Sequence, residues 1–156
     1  MKYIIYTDGA YSKKHDEGAF AFIILNENEQ EVRRYAQKIV NETNNRAELL
    51  AIMAGVYNVP DDATYVMVYS DSQYALNTLF GTWKREANKD LFEVWENRVL
   101  VARPRGILNH EWIRGHSGNE YNELCDQMCK DILGYDPSEE YAWFVEQKKK
   151  RKALPI

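Results

Sequence analysis

"TYVMVYSD", residues 64–71, decides the fold of this chain. Its apolar positions run on with few polar interruptions, the pattern of a strand buried on both faces. A helical stretch, residues 44–57, and the loop "NVPDDA" (58–63) separate it from everything earlier. A strand reached through such a crossover pairs parallel to its neighbour, and the crossover is right-handed. Upstream, "KYIIYTDGAY" (2–11) and "GAFAFIILNENEQEVRRYAQKIV" (18–40) read as a three-stranded antiparallel meander, with "NENEQ" as the second turn. Downstream, "SQYALNTLFGTW" (72–83) and "DLFEVWENRVLVA" (90–102) read as helices joined by "KREANK", and "LNHEWIRG" (108–115) as a strand. "NEYNELCDQMCKDIL" (119–133) is an amphipathic helix with Tyr121, Cys125, Met128, Cys129 and Ile132 on one face, stopped by Gly134. The expectation is an α/β domain: a mixed sheet with helices on both faces, the 64–71 strand parallel to the first. In such a sheet a site lies outside the carboxyl ends of the strands.

Composition sets limits on function. With 156 residues, 45% apolar and 28% charged, the chain suits one domain with a substantial core. The net charge of −4 argues against a general attraction to polyanions, so a nucleic-acid site has to be local or metal-assisted. The run "FAFIIL" (20–25) is too short to span a bilayer, and "MKYIIYTDGA" lacks the long apolar core of a signal peptide. A cytoplasmic protein with no membrane partner is expected. Cys125 and Cys129, four apart beside Met128, suit packed thiols, while a zinc site with His116 lacks a fourth ligand. The tail "SEEYAWFVEQKKKRKALPI" (138–156) reads as one more helix with a basic end.

Four carboxylates stand out. Asp8 ends the first strand and Asp71 the fourth, so parallel neighbours bring both to one edge. On the 44–57 helix Ala47, Leu50, Ala51 and Ala54 share a face with Glu48 at its border, and none of Asn44, Asn45, Ala51 and Ile52 offers it a cation. Asp126 has a similar placement on the last helix, with Lys130 at i+4 as an ordinary ion-pair partner. Asp at a strand end also serves simply as a turn former. Four carboxylates at one edge repel one another, and such a group is usually held together by divalent cations.

In this order, "YTDGA" (6–10), "TNNRAELLA" (43–51), "YSDSQYAL" (69–76) and "WIRGHSGNEYNELCD" (112–126) closely resemble the four active-site motifs of type I ribonuclease H, in a form lacking the basic protrusion. The match runs from Lys2 to Leu133. The resemblance implies a five-stranded mixed sheet of the ribonuclease H-like fold, with residues 1–135 as catalytic domain and 136–156 as its C-terminal extension. It implies a monomeric endoribonuclease that hydrolyses the RNA strand of RNA–DNA hybrids, leaving 5′-phosphate and 3′-hydroxyl ends. It places Asp8, Glu48, Asp71 and Asp126 as ligands of two Mg²⁺ ions, with Mn²⁺ as a substitute, and His116 as the histidine of a mobile loop. Such ions, about 3.5–4 Å apart, activate a water and stabilise the leaving oxygen. Asp8 and Asp71 are then the central ligands, Glu48 holds the ion beside the leaving group, and Asp126 the ion carrying the water. His116 shuttles a proton or helps product leave.

The same resemblance makes Asn44, Asn45 and Gln73 polar contacts to the hybrid, where the 2′-hydroxyl distinguishes RNA, and makes Thr43 and Arg46 available to phosphates. The plainer reading is that Thr43 caps the helix and the asparagines satisfy its first turn. The chain also departs from the pattern. "YSKKHDEG" (11–18) replaces a glycine-rich turn, leaving Lys13, Lys14 and His15 for the backbone. "TWKREANK" (82–89) replaces the protrusion, leaving Trp83, Lys84 and Arg85 to keep part of its grip. "KKKRK" (148–152) is a solvated tail or a substitute phosphate clamp. Two other functions compete. Asn44, Asn45 and Gln73 count against a DNA nuclease of the same fold, and the complete set of carboxylates with His116 counts against a silent hybrid-binding module.

Overall fold

Strands β1 (Lys2–Ser12), β2 (Glu17–Asn26) and β3 (Glu31–Val40) form the antiparallel meander. The computed structural model describes residues 1–102, 106–139, 146 and 148–150. After helix α1 (Asn44–Tyr57), β4 (Tyr65–Ser70) enters parallel to β1, and β5 (Ile107–Trp112) lies parallel to β4. The sheet order β3-β2-β1-β4-β5 is the expected five-stranded mixed sheet. Helices α2 (Gln73–Leu79), α3 (Lys89–Val94) and the short α4 (Leu100–Ala102) follow β4, and α5 (Glu120–Leu133) follows β5. Among the described residues no helix is long and apolar enough to cross a membrane.

The alternation of β2 explains the layers. Ala19, Ala21, Ile23 and Leu25 pack with Cys125, Cys129 and Leu133 of α5 on one face of the sheet. Phe22 and Ile24 join Ile5, Val66 and Val68 against Leu49, Ile52, Met53 and Val56 of α1 on the other. With both faces covered, β2 is buried from Gly18 to Leu25, which is why its sequence is continuously apolar. Burial of side chains such as these contributes about 1.5–3 kcal/mol each before entropy is counted.

Three expectations are corrected. The buried surface of α1 is not one stripe through Leu50 and Ala54, which are half-buried; Leu49, Ile52 and Val56 face the main core and Ala47 and Ala51 meet Phe20 and Ile39. The helix lies in a cleft of neighbours and is covered on two sides. On α5, Ile132 is exposed and Leu133 takes the core position, because the contact stripe Asn122–Cys125–Cys129–Leu133 drifts round a helix laid across a twisted sheet. The helix expected over 72–83 stops at Leu79. Arg85 ends it: its Nε donates to the Thr78 carbonyl at 2.7 Å and its Nη2 to that of Leu79 at 3.3 Å. Its Nη1 also pairs with Glu96 at 2.9 Å, and the guanidinium lies 4.7 Å from the Phe92 ring centroid. The 90–102 helix is helical throughout but passes through a π-helical turn, Trp95–Val99, that buries Trp95. The helix expected over 138–156 lies for the most part outside the described residues, as do Arg151 and Lys152 of the basic run.

Candidate active site

The parallel register places Tyr6 opposite Tyr69, so Asp8 and Asp71 lie side by side two residues beyond the last β1–β4 pair; Asp71 follows the end of β4 as expected, but Asp8 does not end its strand, because β1 stays paired with β2 as far as Ser12. Adjacent strands are about 4.8 Å apart, close enough for two side chains to share a ligand. Glu48 arrives from α1 because Gly9 lets the helix come unusually near β1. A Cβ on Gly9 would sit 2.5 Å from the Ala47 carbonyl carbon and 2.7 Å from the Glu48 nitrogen, so any other residue would push the helix away. The Gly9 N–H donates to Glu48 Oε1 at 3.2 Å, which turns the carboxylate toward Asp8. Local capping sets the helix start: Thr43 Oγ1 accepts from the Arg46 N–H at 3.1 Å.

Asp8, Glu48 and Asp71 each offer an oxygen within 4.8 Å of the others. Asp8 and Glu48 are buried, and Glu48 Oε2 has no hydrogen-bond partner. Burial pushes the Asp8 carboxyl well above the usual range, with the charges of Asp71 and Asp126 adding to it. Burial does the same to Glu48, joined by Asp8 and Asp71. Asp71 is also raised by burial, against the opposing pull of His116. Three crowded carboxylates with one orphaned buried oxygen fit a divalent cation: hard oxygen donors are what Mg²⁺ prefers, and a bound cation reverses the cost of burying the charges.

Asp126 lines the same cleft, from α5, as does the exposed His116. Asp126 stands outside the converging three, its Oδ2 2.8 Å from Lys130 Nζ. Helix α5 is started by Asn119, whose side chain accepts from the Asn122 N–H at 2.9 Å, and ended by Gly134 at φ 84°. His116 has φ 56°, a left-handed backbone that costs a non-glycine residue about 1–2 kcal/mol, and it is followed by Gly118 at φ 89°. Strain of this kind collects at functional loops.

The other candidate residues divide. Asn44 lines the cleft, and Asn45 and Gln73 are exposed on the first turns of α1 and α2. Lys13 and Lys14 are exposed in the β1–β2 turn, which follows the end of β1 at Ser12. Thr43 is the helix cap. Arg46 is engaged within the protein: Nη1 and Nη2 grip Asp90 at 2.9 and 2.8 Å, Nε pairs with Glu42, and Nη1 also reaches Asn88 at 3.3 Å. Trp83 is half-exposed and Lys84 stands 3.8 Å from Glu86, both in the connection after α2. The cysteine reading is of packed thiols: both are free, buried, and pushed up in pKa by that burial, away from the thiolate that zinc requires.

Several residues at the site were not singled out in the sequence. Trp112 donates its indole N–H to the Asp71 carbonyl at 3.0 Å, and a Cβ on Gly115 would come within 2.8 Å of Asp71 Oδ2. Asp136, Pro137 and Ser138 form one wall of the cleft. The "DPS" triplet carries an Asx-turn signature that marks a turn but not its neighbours.

Known proteins resemble this arrangement over most of the chain. The family model described as RNase H matches residues 1–133. A ribonuclease H from Syntrophus aciditrophicus is 32% identical over 142 residues, covering 84% of this chain and 80% of the relative. A ribonuclease HI from Haemophilus ducreyi is 28% identical and covers 86% of this chain and 97% of its own. Among solved structures, the N-terminal RNase H domain of a Mycobacterium tuberculosis protein, determined as a fusion with maltose-binding protein, superposes with TM-score 0.72 at 22% identity. That superposition covers 85% of this chain and 94% of the other, and it shows the same fold. With its sheet order, its converging carboxylates and a family match over residues 1–133, the chain belongs to the RNase H family of hydrolases and is of the ribonuclease HI type.

Proposed function

We propose that this chain cuts the RNA strand of RNA–DNA hybrids, as a cytoplasmic monomer, with divalent cations held by Asp8, Glu48, Asp71 and Asp126. The observation that carries the reading is the trio of carboxylates within 4.8 Å, two of them buried and one with an oxygen that has no hydrogen-bond partner in the protein. Two Mg²⁺ ions, or Mn²⁺ in their place, would supply a nucleophilic water at neutral pH and stabilise the leaving oxygen, giving 5′-phosphate and 3′-hydroxyl ends.

The protein's own residues supply position. Asp8 stands within β1 and Asp71 directly after β4, both rigid mounts, and they serve as the central ligands. Glu48 serves the leaving-group side and Asp126 the side of the attacking water. His116 moves a proton at its imidazole or loosens the product. Asn44, Asn45 and Gln73 read the hybrid beside the cleft, where a 2′-hydroxyl offers a donor and an acceptor. Thr43 and Arg46 hold the helix turn that presents the asparagines. Lys13 and Lys14 approach phosphates from the β1–β2 turn, and Trp83 and Lys84 add a weak outer contact. Residues 1–135 make up the catalytic domain and 136–156 extend it.

The test is cleavage of a short hybrid end-labelled on either strand, with Mg²⁺ and with chelator, beside duplex RNA, duplex DNA and the Asp71→Asn variant. Cutting confined to the RNA strand, dependent on Mg²⁺ and lost in the variant, is expected. Hybrid binding without cutting in either Mg²⁺ or Mn²⁺, or undiminished cutting by Asp71→Asn, overturns the reading.

A further inference from the structure

Lys130 lies between two carboxylates of the cleft. Its Nζ is 2.8 Å from Asp126 Oδ2 and 3.5 Å from Asp136 Oδ2. Asp126 is the one proposed ligand that stands apart from the converging trio, and Lys130 is what holds its oxygen. Asp136 is prepared on the other side. The Ser138 N–H and hydroxyl donate to its Oδ1 at 2.9 and 2.7 Å, which fixes the carboxylate and leaves Oδ2 toward the lysine. The three side chains keep only about a quarter of their surface exposed, so the charges interact more strongly than on an open surface.

We infer that Lys130 is an internal, displaceable cation: it neutralises Asp126 while that carboxylate is without metal, and passes to Asp136 when a divalent ion takes Asp126. The inference rests on the proposed function and adds two residues to it, neither of which touches substrate. Lys130 and Asp136 are positioning residues that set how readily the Asp126 side of the site is occupied. The transfer is short, since one flexible side chain moves from a partner at 2.8 Å toward one already at 3.5 Å. It keeps the local charge balanced at each stage. Without Lys130, Asp126 loses the ammonium that pairs with it beside Asp8, Glu48 and Asp71 in the metal-free cleft. Without Asp136, displacing Lys130 strands an ammonium that has lost its landing place.

Calorimetric titration of Mn²⁺ into the substrate-free protein at constant ionic strength tests this, on the wild type, Lys130→Met, Asp136→Asn and the double variant. Thermal unfolding in chelator checks that each variant folds. Lys130→Met is expected to bind Mn²⁺ roughly two- to fivefold more tightly, and Asp136→Asn more weakly by a similar factor, the size typical of one partly exposed ion pair. The deciding comparison is the double variant. If Asp136 acts through Lys130, Asp136→Asn has no further effect once the lysine is gone. An equal loss of affinity in both backgrounds means that Asp136 acts only as a distant negative charge, and overturns the transfer. Wild-type binding with no change in Lys130→Met overturns it as well. If no variant binds Mn²⁺, the metal site itself is wrong, and both readings fall together.

Discussion

Glu48 is buried beside Asp8, with one oxygen accepting from the Gly9 N–H and the other without a hydrogen-bond partner in the protein. A lone ionised carboxylate in that position is costly, so the side chain weakens the metal-free fold in order to be ready for a cation. Glu48→Gln removes the charge and leaves an acceptor for Gly9. The metal-free variant is therefore expected to melt higher than the wild type, by about 2–4 °C for each kcal/mol relieved. Added Mg²⁺ is expected to raise its melting temperature less than it raises that of the wild type. Melting curves in chelator and in Mg²⁺ decide; a variant less stable than the wild type in chelator shows that Glu48 is a structural acid. The sequence placed Glu48 at the edge of an apolar face with no cation nearby, which was enough to single it out. It was silent on Lys130 and Asp136 as a pair, since their approach depends on how the chain turns after Gly134.

At the scale of elements, the contact of α1 with β1 makes the site. Gly9→Ala puts a methyl carbon against the backbone of Ala47 and Glu48, neither of which is a flexible side-chain end. The expected outcome is a loss of about 1–3 kcal/mol by chemical denaturation, the usual cost of overpacking, together with a large fall in cleavage as Glu48 is pushed away from Asp8. Normal activity in Gly9→Ala would mean that the helix position is not critical. Strand and helix identities, and the parallel entry of β4, were legible because period-2 and helical patterns are local. Helix ends were less so. Helix α2 ends at Leu79 through Arg85, a residue six positions on that looks in the sequence like one more basic contact beside Trp83. Arg46 likewise reads as a phosphate contact in its motif, and its grip on Asp90 joins α1 to α3 across 44 residues of sequence.

Across the whole molecule, opposing carboxylates give the metal-free protein a pH dependence of definite sign. Asp8, Glu48 and Asp71 are raised, so they bind more protons folded than unfolded. Stability from these three is full below the ordinary carboxylate range and is lost as pH rises through their raised values. Asp90, lowered to about 2 by Arg46, works in the opposite direction: its contribution is present above the unfolded carboxylate range and is lost as pH falls through that value. Asp90 is mostly exposed, and solvent screening makes it the smaller effect. In chelator, the melting temperature is expected to decline as pH rises above the ordinary carboxylate range, and Mg²⁺ to raise it more at the higher pH, where the ligands are ionised. A Mg²⁺ increment independent of pH would contradict this. By itself the sequence determined the order of strands and helices and the mixed sheet, and singled out four carboxylates and His116 as candidates, because hydrophobic period and short motifs are properties of neighbouring residues. Only the tertiary structure decided that Asp8, Glu48 and Asp71 meet while Asp126 is held by Lys130, that Arg46 is occupied, and that Asp136 walls the cleft. Those facts depend on distances between segments far apart in the chain, set by how closely helices pack on the sheet.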